Sequence, residues 1–130
     1  MPIDLYLVKL LVGNEGMPGA PLLHLSLAVD APTGHITGQA EITQAIAPPG
    51  GITRINNLEG HIRSLGLIPA VRVVSLTGSY VFSFPPPAIG QVIEPFWALL
   101  VIPQEGWEGR GSFGYGSTEI DDVPIDVCNA

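Results

Sequence analysis

Val74-Ser75-Leu76-Thr77-Gly78-Ser79-Tyr80-Val81-Phe82-Ser83-Phe84 is the stretch that decides the fold. Val74, Leu76, Gly78, Tyr80, Phe82 and Phe84 share one parity, and Ser75, Thr77, Ser79, Val81 and Ser83 share the other. Alternation with a period of two over this length is the mark of a half-buried strand. A rival reading makes Thr77-Gly78 a hairpin turn that pairs Leu76 with Ser79. The single strand keeps residues of like character on one face, so Val71–Phe84 is expected to run as one continuous, bent strand with Gly78 inside it. The same Gly-spacer-apolar pattern recurs at Gly38–Ile42 and Gly111–Tyr115, and more weakly at Gly60–Ser64.

On the N-terminal side, Leu22–Asp30 and His35–Gln44 both alternate, with Ala31-Pro32-Thr33-Gly34 between them. A four-residue loop pairs Asp30 with His35, Val29 with Ile36, Leu27 with Gly38, Leu25 with Ala40 and Leu23 with Ile42. Every inward residue then meets an inward residue, which fixes the register. His24 falls opposite Glu41. Leu5–Val12 is a strand apolar on both parities, a pattern that argues burial on both sides or cover by another subunit. Ile52–Ile68 is ambiguous. Its Ile and Leu spacings suit a helix, while Asn56-Asn57, Gly60 and Gly66 oppose one, so irregular strands are preferred with a short helix as the alternative.

On the C-terminal side, Pro85-Pro86-Pro87 ends the central strand. A further strand is expected at Ile93–Ile102. Trp107–Ile120 carries the last Gly repeat. The acids Glu119, Asp121, Asp122 and Asp126 read as a solvated edge. The sum is an all-β, single-domain chain spanning residues 1–130: an antiparallel β-barrel or β-sandwich of about seven to eight strands with little or no helix. Gly38, Gly78 and Gly111 all lie on inward parities, which favours a bent, barrel-like sheet.

Composition narrows the function classes. Of 130 residues, 46% are apolar and only 13% charged, which is enough to build a core and argues against disorder. The net charge is −7, and the five basic residues are scattered, so neither nucleic acid nor an anionic membrane surface is an expected partner. No apolar run approaches the length of a spanning helix. Asp4 and Lys9 spoil the N-terminus as a signal peptide, leaving the cytoplasm as the default expectation. Cys128 is the single cysteine, so no intrachain disulfide forms.

Gly78-Ser79-Tyr80 and Gly111-Ser112-Phe113 resemble the Gly-x-aromatic strand openings of avidin and lipocalin barrels. That resemblance implies an up-and-down barrel and carries no ligand contacts with it. Val73–Pro87 (VVSLTGSYVFSFPPP), Gly106–Gly116 (GWEGRGSFGYG) and Val123-Pro124-Ile125 resemble a bacterial family known only as a domain of unknown function, DUF1842-like. This second resemblance implies a small stand-alone domain, and it supplies no activity, cofactor or catalytic residue.

Chemistry-bearing motifs are few. No nucleophile elbow, phosphate loop or dinucleotide fingerprint occurs, so no cofactor is expected. Of the three histidines, His24, His35 and His61, the first two read as surface residues each beside a carboxylate, and no metal site is expected. Removal of Met1 would expose Pro2 as an N-terminal secondary amine, the basis of a minor enzymatic alternative. Tyr80, Trp107, Phe113 and Tyr115 share inward parities and are the candidate ligand-binding residues. The preferred reading is a non-enzymatic binding module for a protein partner or an apolar small ligand. The alternatives are a small barrel enzyme using a histidine or Pro2, and a subunit of a larger assembly, such as a homo-oligomer formed through a sheet edge.

Overall fold

The computed structural model describes residues 5–14, 16–17, 19–44, 52–65, 71–83, 87 and 89–128. Every regular element in it is a strand: β1 (Leu5–Val12), β2 (Leu22–Asp30), β3 (His35–Thr43), β4 (Ile52–Leu65), β5 (Val71–Ser83), β6 (Gln91–Pro103), β7 (Arg110–Tyr115) and β8 (Thr118–Val127). Each strand pairs antiparallel with the next, and β8 returns to β1 to close a barrel. Closure decides between the barrel and the sandwich. Phe84, the triplet's Pro85 and Pro86, the loop at 45–51 and the N-terminal Pro2 lie outside the described residues.

The β2–β3 hairpin has the expected register throughout, from Leu23 opposite Ile42 to Asp30 opposite His35. Its loop is closed by Gly34, which has φ +74° and whose N–H donates to the Asp30 carbonyl at 2.8 Å. A left-handed position here favours glycine because it has no Cβ to clash. β5 is continuous through Thr77 and Gly78, so the hairpin reading of that dipeptide fails. β4 is a strand rather than a helix, and its irregularity is a bulge. Gly38 pairs with Leu58 but Ala40 pairs with Ile55, so Asn56 and Asn57 together face Gln39. A bulge accounts for the helix-like spacing of Ile55 and Leu58, since the extra residue returns both to the core face.

An eight-stranded barrel leaves an interior just wide enough for side chains to fill. Leu10, Val12, Leu23, Leu25, Leu27, Val29, Ile36, Ile42, Ile55, Val74, Leu76, Phe96, Leu100 and Phe113 fill it. No polar or charged side chain is buried among the described residues.

In the C-terminal region Trp107–Ile120 holds β7 and the start of β8, because Gly116-Ser117 makes a tight turn between Tyr115 and Thr118. Gly116 has φ +58°, the conformation a two-residue hairpin needs at its first central position. The acids expected as a solvated edge therefore sit on a barrel strand. A second bulge sets Asp121 and Asp122 against Ser112. Asp122 has φ +53° and is held there by the Ser112 hydroxyl, which accepts its N–H at 3.1 Å, and by Arg110, whose Nε donates to its carboxylate at 2.6 Å.

The β4 bulge has a consequence for β5. Pairing between β4 and β5 covers Glu59–Leu65 against Val71–Thr77 and stops there. At the divergence, Asn57 replaces the ladder. Its Oδ1 accepts the Ser79 N–H at 3.0 Å and its Nδ2 donates to the Ser79 hydroxyl at 3.0 Å. Asn57→Ala is expected to cost about 1–2 kcal/mol, the net worth of two partly exposed hydrogen bonds. Native-state hydrogen exchange should then show faster exchange at the Ser79 amide. Unchanged protection there would mean that something other than the Asn57 side chain holds this junction.

Candidate functional site

Beyond Ser79, β5 and β6 leave the barrel wall together. The residue pairs Tyr80–Glu94, Val81–Ile93, Phe82–Val92 and Ser83–Gln91 form a two-stranded ribbon. β6 meets β7 only from Phe96 onward. Among the described residues, neither outer edge of the ribbon has a ladder partner.

The two edges differ. In an antiparallel strand, successive residues direct their backbone groups to opposite sides. Ser79 directs its N–H toward β4, so Val81 and Ser83 present theirs on that same side, as an open edge. On β6 the outward set is then Gln91, Ile93 and Pro95. Proline has no N–H to offer, so Pro95 blunts the β6 edge. Two of the ribbon's apolar side chains stand in water: Val81 is 59% exposed and Ile93 75%. An isolated two-stranded ribbon is marginal by itself.

The four candidate ligand residues do not form one site. Tyr80, Phe113 and Tyr115 gather where the ribbon leaves the barrel. Tyr80 meets Tyr115 edge-on, with ring centroids 6.4 Å apart, and Phe113 stacks on Tyr115 at 6.3 Å. Phe113 is fully buried and serves the core. Burial pushes the phenol pKa of Tyr80 and Tyr115 upward, with Glu94 adding to the effect at Tyr80. Burial thus favours the neutral phenol of both rings, which pack against the core.

Trp107 lies at the other end. It packs edge-on against Tyr6 at 6.5 Å, and the Arg72 guanidinium sits 5.6 Å from its ring centroid. Arg72 also donates to the carbonyls of Pro103, at 3.0 Å, and Gly106. Arg72 and Tyr80 are eight positions apart on β5, about 26 Å along a strand. Trp107 thus plugs one end of the barrel while the tyrosines cover the other.

Elsewhere the hollows are open and shallow, and exposed Leu5 and Leu7 leave part of the outer wall apolar. One open hollow of about 380 Å³ lies among Gly13, Asn14, Gly16, Met17, Pro124 and Asp126. A second, of about 250 Å³, runs over Glu59, His61, Arg63, Ser75 and Thr77 on the outer wall. No group of three or more His, Cys, Asp or Glu gathers as a metal cage among the described residues. The expected His24–Glu41 side-chain pair is absent. The two face each other in register, but Glu41 accepts from Arg54 at 3.1 Å while His24 Nε2 meets Thr43 Oγ1 at 3.1 Å. Arg reaches a carboxylate with a better-matched, permanently charged donor. His35 lies opposite Asp30, yet its ring contacts His61 instead.

These features define a closed, eight-stranded antiparallel barrel with a filled apolar interior and one projecting β-ribbon. The family described as a domain of unknown function, DUF1842, matches residues 3–119, and the chain belongs to that family. No curated protein matches the chain.

Proposed function

We propose that the protein is a non-catalytic interaction module that docks a partner through the β5–β6 ribbon. The observation that carries this reading is the ribbon itself: a β5 edge with no ladder partner among the described residues, bearing exposed Val81 next to exposed Ile93, on a barrel whose interior is full. The filled interior favours a protein partner over an apolar ligand inside the barrel. The absence of buried ionisable side chains among the described residues favours binding over acid–base chemistry, which needs such groups in a water-excluding site.

The partner is an extended segment that adds a strand beside Val81 and Ser83. Strand addition draws affinity from main-chain hydrogen bonds and selectivity from alternate side chains. The net charge of −7 steers such a segment toward neutral or basic composition.

Val81→Pro tests this directly. The Val81 N–H points to the open edge, so its loss spares the ladder with β6 while blocking an added strand. Affinity purification with mass spectrometry is expected to recover a partner with the natural chain, and at least about tenfold less with Val81→Pro or Ile93→Lys. Arg54→Ala, on the β3–β4 wall, should retain it. Equal recovery with the two ribbon variants would overturn the proposal.

A further inference from the structure

His35 and His61 come from different hairpins and stand directly opposite each other on β3 and β4. Both side chains lie on the outward parity of their strands. Directly opposed residues of an antiparallel pair bring their Cβ atoms to about 4.5–5.5 Å, close enough for two imidazoles to converge on one point in solvent. The ring centroids are 5.2 Å apart, with the planes at 71°. Neither ring makes a hydrogen bond among the described residues, whereas the ring of His24 is engaged with Thr43. Two imidazoles side by side, with all four ring nitrogens uncommitted, form a donor set for a borderline-soft cation.

The spacing can be tested against coordination geometry. A zinc–imidazole bond is about 2.0–2.1 Å, which puts the ion about 3.2 Å from each ring centroid. Two such rings at a tetrahedral angle have centroids about 5.2 Å apart. The observed separation matches this value, and the terminal torsions of the two rings are the freedom by which a nitrogen of each would turn toward the shared point. The surroundings permit a cation. Glu59 and Arg63 flank His61 on β4, Asp30 lies beyond His35 on β2, and Ser75 and Thr77 border the site from β5 without adding charge.

We infer that His35 and His61 form a two-imidazole surface site for a divalent late first-row transition ion, of which zinc is the simplest probe. Two protein ligands leave the remaining positions to water, so the site is exchangeable rather than structural. Carboxylate-preferring ions such as magnesium and calcium have no claim on it. The ligand pair is written across β3 and β4, so it exists only when their register is correct.

Isothermal titration calorimetry of the full chain with zinc chloride tests the site, alongside imidazole carbon–proton NMR spectra. One zinc ion per chain is expected to bind, with resonances of His35 and His61 shifting and those of His24 staying in place. His35→Gln and His61→Gln should each weaken binding at least about tenfold, as expected when one of two protein ligands is lost. His24→Gln and Cys128→Ser should bind as the natural chain does. Circular dichroism of the two glutamine variants confirms that the barrel is retained, which positions on the outward parity lead one to expect. Absence of zinc binding, undiminished binding in His61→Gln, or loss of binding in Cys128→Ser would each overturn the inference.

Discussion

Phe113→Ala is expected to destabilise the protein by about 3–5 kcal/mol, the range for truncating a buried aromatic side chain. Small domains have a total stability of about 5–15 kcal/mol, so the loss is a large share of it. The ring is wholly buried. It stacks on Tyr115 and sits between Ala98 on β6 and Ile120 on β8. None of these can grow into the vacated space. Ala98 is small, and the strands are pinned at fixed spacing by ladders on both sides of β7, so the barrel cannot collapse around the hole. The cavity term therefore adds nearly in full to the lost transfer energy. Urea unfolding of the two proteins measures the difference. If Phe113 lined a ligand pocket open to water, its removal would cost under about 1 kcal/mol, so a small effect would return this residue to the list of ligand contacts.

Phe113 also shows why the candidate site was only partly legible from sequence. Parity placed Tyr80, Trp107, Phe113 and Tyr115 on inward faces, and all four do contact the interior. Parity does not say how far along the barrel axis each residue lies. That depends on the register of β5, β6 and β7, which no hairpin loop in this region fixed as tightly as Ala31–Gly34 fixed β2 against β3. That the tyrosines and the tryptophan lie at opposite ends follows from those registers alone.

The His35–His61 pair escaped for a related reason. Its existence depends on the β3–β4 register, and that register contains a bulge at Asn56 and Asn57. An extra residue shifts every later pairing by one, so counting outward from a symmetric hairpin misplaces His61. The Asn-Asn dipeptide between Ile55 and Leu58 was the available signal, and it reads as a strand irregularity only once a neighbouring strand is known. The ribbon was hidden differently. Val71–Phe84 alternates without interruption, so nothing local marks Ser79 as the place where β5 leaves the wall. The cause lies on another strand, in Asn57.

The Gly repeats, by contrast, were legible in the sequence, and the weakest of them carries the tightest approach. Gly60→Ala is expected to cost about 3 kcal/mol or more, at the upper end for overpacking. A Cβ built on Gly60 would lie 1.9 Å from the Ser75 carbonyl oxygen and 2.8 Å from Leu76 Cδ2. The first of these atoms is backbone, so no side-chain rotation relieves the contact. Relief requires β4 to move off β5, and that strains the flanking pairs Glu59–Thr77 and His61–Ser75. An opposing effect exists. Alanine loses less conformational entropy than glycine on folding, which would favour the variant by about 0.5–1 kcal/mol where space allows. Gly16 offers that space, with nothing within 4 Å of its added Cβ, and Gly16→Ala should leave stability unchanged within about 0.5 kcal/mol or raise it slightly. At Gly60 the clash exceeds the entropic gain several-fold, so the sign is not in question. Thermal and urea unfolding of both variants give the comparison. A Gly60→Ala protein as stable as Gly16→Ala would show that β4 and β5 stand farther apart than their ladder requires, and would remove the close approach as the reason for glycine there.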